Sequence, residues 1–244
     1  MEMKRGIVML KRMGCFIVLL CCIMSAGCSN YFAPKGKPYS KISWCDFIKF
    51  NDITYYPRMD QAGPKLTKDD LDKELYKVKF NVADNVHDAK YKIKNGDAAF
   101  LPVNAEVYSV KDYSSNFCLA AYNSRRELVL YFADSNPNAK KGEDIFDIKG
   151  KVESISINSD ITQKELALIT DPKLVDKMAD MILEGSVEMK PKTSGSQRYY
   201  LKFNLKKGII LPFWYYTDDN KLTSSMGIVV PQEFGEIIQK VVGK

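Results

Sequence analysis

Between Ile42 and about Ile148, apolar residues fall at every second position in short runs separated by turn-forming residues, the period of half-buried strands. DFIKFNDITYY alternates on both sides of Asn51-Asp52 and predicts a tight hairpin. YKIKNGDAAFL sets Asn95-Gly96 between two β-prone arms, and because Asn-Gly supplies the positive φ of a type I′ turn, a second hairpin is expected. FCLAAYNSRRELVLYF should turn near Asn123 to Arg126, and EVYSV adds a strand. One segment breaks the pattern. In LTKDDLDKELYKV, Thr67 with Asp70 resembles a capping box, and Leu71, Leu75 and Val78 share one face of a short predicted helix.

The period changes beyond DSNPNAKKGED, a polar stretch from Asp134 to Asp144 that reads as a long loop, with the boundary close to Gly150. GKVESISIN reads as a strand. In DPKLVDKMADMILEG, Asp171 is placed to cap a helix, Pro172 to open it and Gly185 to stop it, with Leu174, Val175, Met178, Met181 and Ile182 on one stripe. RYYLKFNLKKGIILPFWYY predicts a hairpin about Lys207-Gly208, and Asp218-Asp219-Asn220 a turn before a strand through Ile228, Val229 and Val230. Pro231 opens a last helix with Phe234, Ile237, Ile238, Val241 and Val242 on one side. The expected fold class is α+β: a β-rich hairpin barrel or sandwich over 41–148, then an antiparallel sheet over 149–244 with two helices on one face.

The start of the chain follows a different rule. MEMKRGIVMLKRMG carries Lys4, Arg5, Lys11 and Arg12 and runs into CFIVLLCCIM, a basic region followed by an apolar one. The uncharged run from Met13 to Gly27 falls short of the ~20 residues that cross a bilayer, so residues 1–27 read as a signal peptide. The apolar run ends in Ser25-Ala26-Gly27-Cys28, small residues before a cysteine. This resembles the lipobox of bacterial lipoproteins, with Ser25 where leucine is commonest. The resemblance covers residues 1 to about 29 and implies that Cys28 becomes the first residue and carries a diacylglycerol thioether, two acyl chains being what stable anchoring requires. An ordinary secretory signal would leave Cys28 a plain thiol. Residues 28–40, rich in Ser, Pro, Gly and Lys, read as a tether that spans about 40 Å when extended.

Composition then narrows the function. The chain has 36 Lys and Arg against 30 Asp and Glu. Loss of the signal removes four basic residues and Glu2, leaving 32 against 29, a net of +3 that is too small and too dispersed for nucleic-acid binding. The single histidine, His87, with Asp84 and Asp88 nearby, makes a poor metal site without distant partners, and neither a metal nor a cofactor beyond the covalent lipid is expected. No G-x-S-x-G elbow occurs. Lys192-Thr193-Ser194-Gly195 resembles the Lys-Thr-Gly element of penicillin-binding enzymes only superficially, because the Ser-x-x-Lys partner is missing. In the part beyond Cys28 two cysteines remain, Cys45 and Cys118. In an oxidising compartment they can pair and close a loop of about 70 residues; both also sit in strand-like runs, where a free cysteine serves as a small core residue.

The remaining feature is aromatic. Tyr199, Tyr200, Phe213, Trp214, Tyr215 and Tyr216 crowd two neighbouring strands, and alternation sends half of them to each side of the sheet. If helices cover one side, Tyr200, Trp214 and Tyr216 form an outward patch suited to stacking on a peptide, a sugar or a partner protein; if the N-terminal β region covers it, the patch is core. The segments SWCDFIKFNDITYY, NGDAAFLP with EVYSVKDY, and ITDPKLVDKM with YYLKFNLKKG together are similar to small extracytoplasmic lipoproteins of Bacillus-like bacteria, which bring no active-site motif to transfer. The expectation is a membrane-anchored protein on the extracytoplasmic face of the cell envelope that binds or braces an envelope partner. An envelope hydrolase acting on wall or peptide substrate, and an inhibitor or sensor of another envelope protein, are the alternatives.

Overall fold

The computed structural model describes residues 42–57, 66–194, 197–224 and 226–243; the expected signal peptide, the tether and Cys28 lie outside the described residues. The chain is α+β. Eight strands, β1 (Ile48–Phe50), β2 (Ile53–Pro57), β3 (Leu71–Lys77), β4 (Phe80–Asn81), β5 (Asp97–Ala98), β6 (Glu106–Val110), β7 (Cys118–Tyr122) and β8 (Leu128–Ser135), form a sheet curled into a half-barrel in the order β3-β6-β7-β8-β2-β1-β5-β4. Its pairings are antiparallel except β4 with β5. The second sheet holds β9 (Val152–Ser159), β10 (Glu165–Ile169), β11 (Ser186–Glu188), β12 (Arg198–Leu205), β13 (Ile210–Tyr216), β14 (Lys221–Thr223) and β15 (Gly227–Val229) in the order β10-β9-β12-β13-β14-β15-β11. Besides three short 3-10 turns, the described residues form three α-helices: the single turn α1 (Val82–Asn85), α2 (Pro172–Glu184) and α3 (Gln232–Val242).

Local chemistry accounts for most of these elements. Asn51 and Asp52 both take positive φ, 49° and 62°, which a two-residue hairpin turn demands. The Asn123 side chain accepts from the backbone N–H groups of Arg125 and Glu127 and so closes the β7–β8 turn. Asp171 Oδ1 accepts from Leu174 N at 3.0 Å with Pro172 behind it, and Gly185 ends the helix. The apolar stripe of α2 is buried at Val175, Met178, Met181 and Ile182, and that of α3 at Phe234 and Ile238. Both helices share a core with Ile155, Ile157, Leu201, Phe203, Leu211, Phe213 and Tyr215 of the second sheet. The same apolar cluster continues into the half-barrel: Phe146 meets Phe213 edge-on at 5.3 Å on one side and Phe117 at 6.5 Å on the other.

Two local expectations are corrected. The capping box at Thr67 and Asp70 is present, with Asp70 Oδ2 accepting from Thr67 N at 2.8 Å, yet it opens only a 3-10 turn, Lys68–Asp70. The following Leu71–Lys77 is strand β3, paired with β6 through two register shifts, because the edge of the half-barrel offers backbone partners that a short helix could not match. At Asn95-Gly96 the turn is closed by Asp97 N bonding to Lys94 O at 3.0 Å with Gly96 alone at positive φ, 97°, the type II pattern. The arm before it forms no strand, and only Asp97–Ala98 pairs. The amide of Asn95 is instead tied to Asp52, accepting from its backbone N–H at 2.8 Å and donating to its carboxylate at 2.9 Å.

Cys45 and Cys118 are free thiols, so the disulfide does not form in this structure. Cys118 lies on β7 with no exposed surface, whereas Cys45 is exposed on the approach to β1. Burial, followed by the Asp147 carboxylate, pushes the Cys118 thiol far above its ordinary value, the condition of an inert core cysteine.

Candidate binding face

From Tyr200 to Leu205 of β12 and along the whole of β13 burial alternates, while Arg198 and Tyr199 at the start of β12 are both half-buried. Leu201, Phe203, Leu205, Leu211, Phe213 and Tyr215 are buried, and the residues between them are half-buried. Register then decides what assembles on the face away from the core. Arg198 stands opposite Tyr216, Tyr200 opposite Trp214 and Lys202 opposite Pro212, while Tyr200 also pairs with Asn158 of β9 and Trp214 with Thr223 of β14. Tyr200, Trp214 and Tyr216 therefore sit together on the side opposite Phe203 and Phe213.

Ring contacts, cation–ring contacts and hydrogen bonds link the side chains of this face. The Tyr200 and Trp214 rings approach to 4.8 Å between centroids. The Arg198 guanidinium lies 4.6 Å from the centre of the Trp214 ring and 6.0 Å from that of Tyr216, and the Lys202 ammonium 5.6 Å from that of Tyr200. Arg198 is aimed by Asp160, whose Oδ2 accepts from Nε at 2.8 Å, and hydrogen bonds to Asp160 and then Tyr216 favour its charged form. Beside the rings lies a polar strip on β9 and β10. Ser156 Oγ donates to Glu165 Oε2 at 2.7 Å, Asn158 Nδ2 donates to the Tyr200 carbonyl at 3.0 Å, and Asn204 Nδ2 donates to Ser154 Oγ at 2.9 Å. At the opposite end the segment before β12 covers the sheet: Lys221 donates to the Lys192 carbonyl and pairs with Glu188, each at 2.9 Å, and Ser194 Oγ donates to Asp219 at 2.8 Å. Lys192-Thr193-Ser194 is thus a structural flap edge, with the Ser194 hydroxyl spent on a carboxylate.

The aromatic trio was readable from period two, and so were its companions: Arg198 and Lys202 lie two residues either side of Tyr200, and Ser154, Ser156 and Asn158 alternate with Ile155 and Ile157. Their partners Asp160 and Glu165 carried no such signal, since they arrive through the β9–β10 turn.

Two other places carry polar chemistry. A small cleft between β13 and α3, lined by Tyr215, Thr217, Asn220, Gln232, Glu236 and Gln239, contains one carboxylate, Glu236, which accepts from Gln232 Nε2 at 3.0 Å. Within the half-barrel, Tyr131 OH donates to Asp46 Oδ2 at 3.0 Å, while Asp46 Oδ1, Trp44 Nε1 and Tyr76 OH are buried without a hydrogen-bond partner. Desolvation there raises the Asp46 carboxyl above its ordinary range, and burial pushes up the Tyr131 and Tyr76 phenols. His87 is exposed after α1, the Asp88 carboxylate accepts from Lys90 N in a local turn, the Asp84 backbone N–H donates to the Asn81 side chain, and among the described residues no three His, Cys, Asp or Glu side chains gather as a metal site. No helix among the described residues is long and apolar enough to cross a membrane.

Comparison with protein families, with curated proteins and with solved structures finds no match to this chain.

Proposed function

We propose that the protein is a lipid-anchored binding module on the extracytoplasmic face of the cell envelope, tethered through a diacylglycerol on Cys28 and engaging an envelope partner through the outer face of its second sheet. The observation that carries the binding reading is the alternating burial of β12 and β13, which leaves Trp214 and Tyr216 half-buried beside the cations Arg198 and Lys202 on the side away from the core. Rings of this size offer broad contact area at small entropic cost. A guanidinium already aimed by Asp160 adds directional hydrogen bonds to a peptide, a glycan or a protein surface. The anchor reading is supported by the basic, apolar and small-residue sequence that ends at Cys28, and the 28–40 tether is long enough to hold the folded part off the bilayer.

The two parts of the proposal separate experimentally. Cys28→Ala in the full chain leaves an unprocessed precursor or a form released from membranes, and recovery of a mature-size, membrane-bound product removes the anchor. With Trp44→Phe making Trp214 the only tryptophan, soluble wall fragments and envelope extracts are titrated by fluorescence. A saturable change that Arg198→Ala weakens supports the face, and a response unaffected by Arg198→Ala and Tyr216→Ala refutes it.

A further inference from the structure

Each sheet ends in two strands whose outer backbone edge is a template for further pairing, and folded proteins blunt such edges. Three of the four are blunted here. β3 carries Asp72, Lys73, Glu74 and Lys77 and two register shifts, β4 has two residues and runs directly into α1, and β11 has three residues with Lys141 bridged to Ser186 beside it. β10 is different. It terminates its sheet as Glu-Leu-Ala-Leu-Ile, with Leu166 46% and Leu168 48% exposed, and the turn leading into it carries Ile161 at 91%. Its register with β9 shifts once, leaving Leu166 as the extra residue between Glu165, opposite Asn158, and Ala167, opposite Ile157.

That bulge makes the edge complementary to itself. In an antiparallel pair, residues facing each other must lie on the same side of the sheet. Leu168 lies on the outer side with Ser156, and Ala167 and Ile169 on the core side with Ile157 and Ile155. A two-fold axis at Leu168 therefore sets Leu168 against Leu168 of a second copy and Ala167 against its Ile169. With Leu166 skipped as the bulge, Glu165 falls against Thr170 and Lys164 against Asp171 of the second copy, and the symmetry repeats the Lys-Asp pair. Sidedness, apolar contact and charge agree in this one register.

We infer that β10 is a self-association edge, through which two copies of this chain join their second sheets antiparallel about Leu168. A strand of this length covers less than the ~800 Å² per partner of a standard interface, so the association is weak and concentration-dependent and is best read by trapping. The full chain carrying Leu168→Cys is oxidised mildly in detergent solution and digested with trypsin, and the 165–173 peptide is sought disulfide-linked to itself. Because that peptide occurs once per chain, the self-linked form reports two copies whatever the other cysteines do. Paired residues at this spacing lie within disulfide reach. Self-linkage is expected to form readily at the 165–173 peptide of Leu168→Cys and not at the 74–77 peptide of Glu74→Cys on β3. Adding Lys164→Glu also removes the tryptic site before the strand, so the self-linked 152–173 peptide is counted for that variant; its yield should fall on the order of tenfold, since two like-charge contacts replace two opposite-charge ones, and Asp171→Asn, which keeps the helix cap, should recover part of it. Equal trapping from position 74, no self-linked 165–173 peptide, or a yield indifferent to Lys164→Glu would overturn the inference.

Discussion

Of the glycines for which an added Cβ meets neighbouring atoms, Gly142 has the closest approach, and Gly142→Ala tests that contact. The segment carrying Gly142 connects the two sheets and docks on the end of α2. Gly142 N bonds to Gly185 O and Val187 N to Lys140 O, each at 2.9 Å, and Lys141 bridges to Ser186. A methyl group at residue 142 would stand 2.0 Å from the Ile182 carbonyl oxygen, 2.9 Å from its carbon and 3.1 Å from Leu183 Cα. All three are helix backbone, which cannot swing aside as a side chain would, so the connecting segment must lift by more than 1 Å. Overpacking costs about 1–3 kcal/mol and each strained backbone bond about 1 kcal/mol, giving about 3–5 kcal/mol in all. Gly150→Ala is the control. Gly150 has φ of 64° and nothing within 4 Å of an added Cβ, so it pays only the left-handed backbone penalty of about 1 kcal/mol. Urea unfolding of the full chain in detergent, followed by circular dichroism, measures both. Gly142→Ala should lower the midpoint several-fold more than Gly150→Ala with the slope unchanged, and equal midpoints would refute the docking of this segment on α2.

The buried carboxyl of Asp46 makes a pH prediction. Its folded value is raised by desolvation, so between the ordinary carboxylate range and that raised value the folded state holds a proton that the unfolded state has lost, and stability falls as pH rises. Asp46→Asn keeps an acceptor for Tyr131 OH, and its stability relative to wild type should grow from pH 4 to pH 7 in matched urea titrations; a difference constant with pH rejects the assignment. Asp70 and Asp144 have the opposite sign, since backbone hydrogen bonds from Thr67 and from Lys141 and Lys140 hold them below the ordinary range, so their contribution disappears on acidification through the folded values. For the thiols, a maleimide should modify Cys45 in the native protein and Cys118 only on unfolding, and peptide mapping that finds Cys118 labelled at the native rate would contradict its place on β7.

Period and capping chemistry carried much of the architecture. The stop and start residues of α2, the stripe of α3 and the turns at Asn51-Asp52, Asn123 to Arg126 and Lys207-Gly208 are local signals, and the structure follows them because local preference and tertiary packing agree there. Where the two compete, tertiary pairing prevails. Leu71–Lys77 has good helix formers and a capping box, yet its backbone completes the edge of the half-barrel. β10 and β11 were not legible, being short strands beside a turn and a helix whose partners are distant in sequence. On the binding face, alternation revealed which aromatics share a side, but the ion pair that aims Arg198 depends on a long-range pairing that no window contains.

The claim that the outer face of the second sheet meets a partner is tested most directly by oxidative footprinting of Trp214 in intact envelopes and in the detergent-purified chain, with Tyr122 on β7 of the half-barrel, 37% exposed, as internal reference. If the face is engaged, Trp214 and Tyr216 oxidise more slowly in envelopes than after purification while Tyr122 is unchanged. Equal oxidation of Trp214 in both preparations would contradict the account.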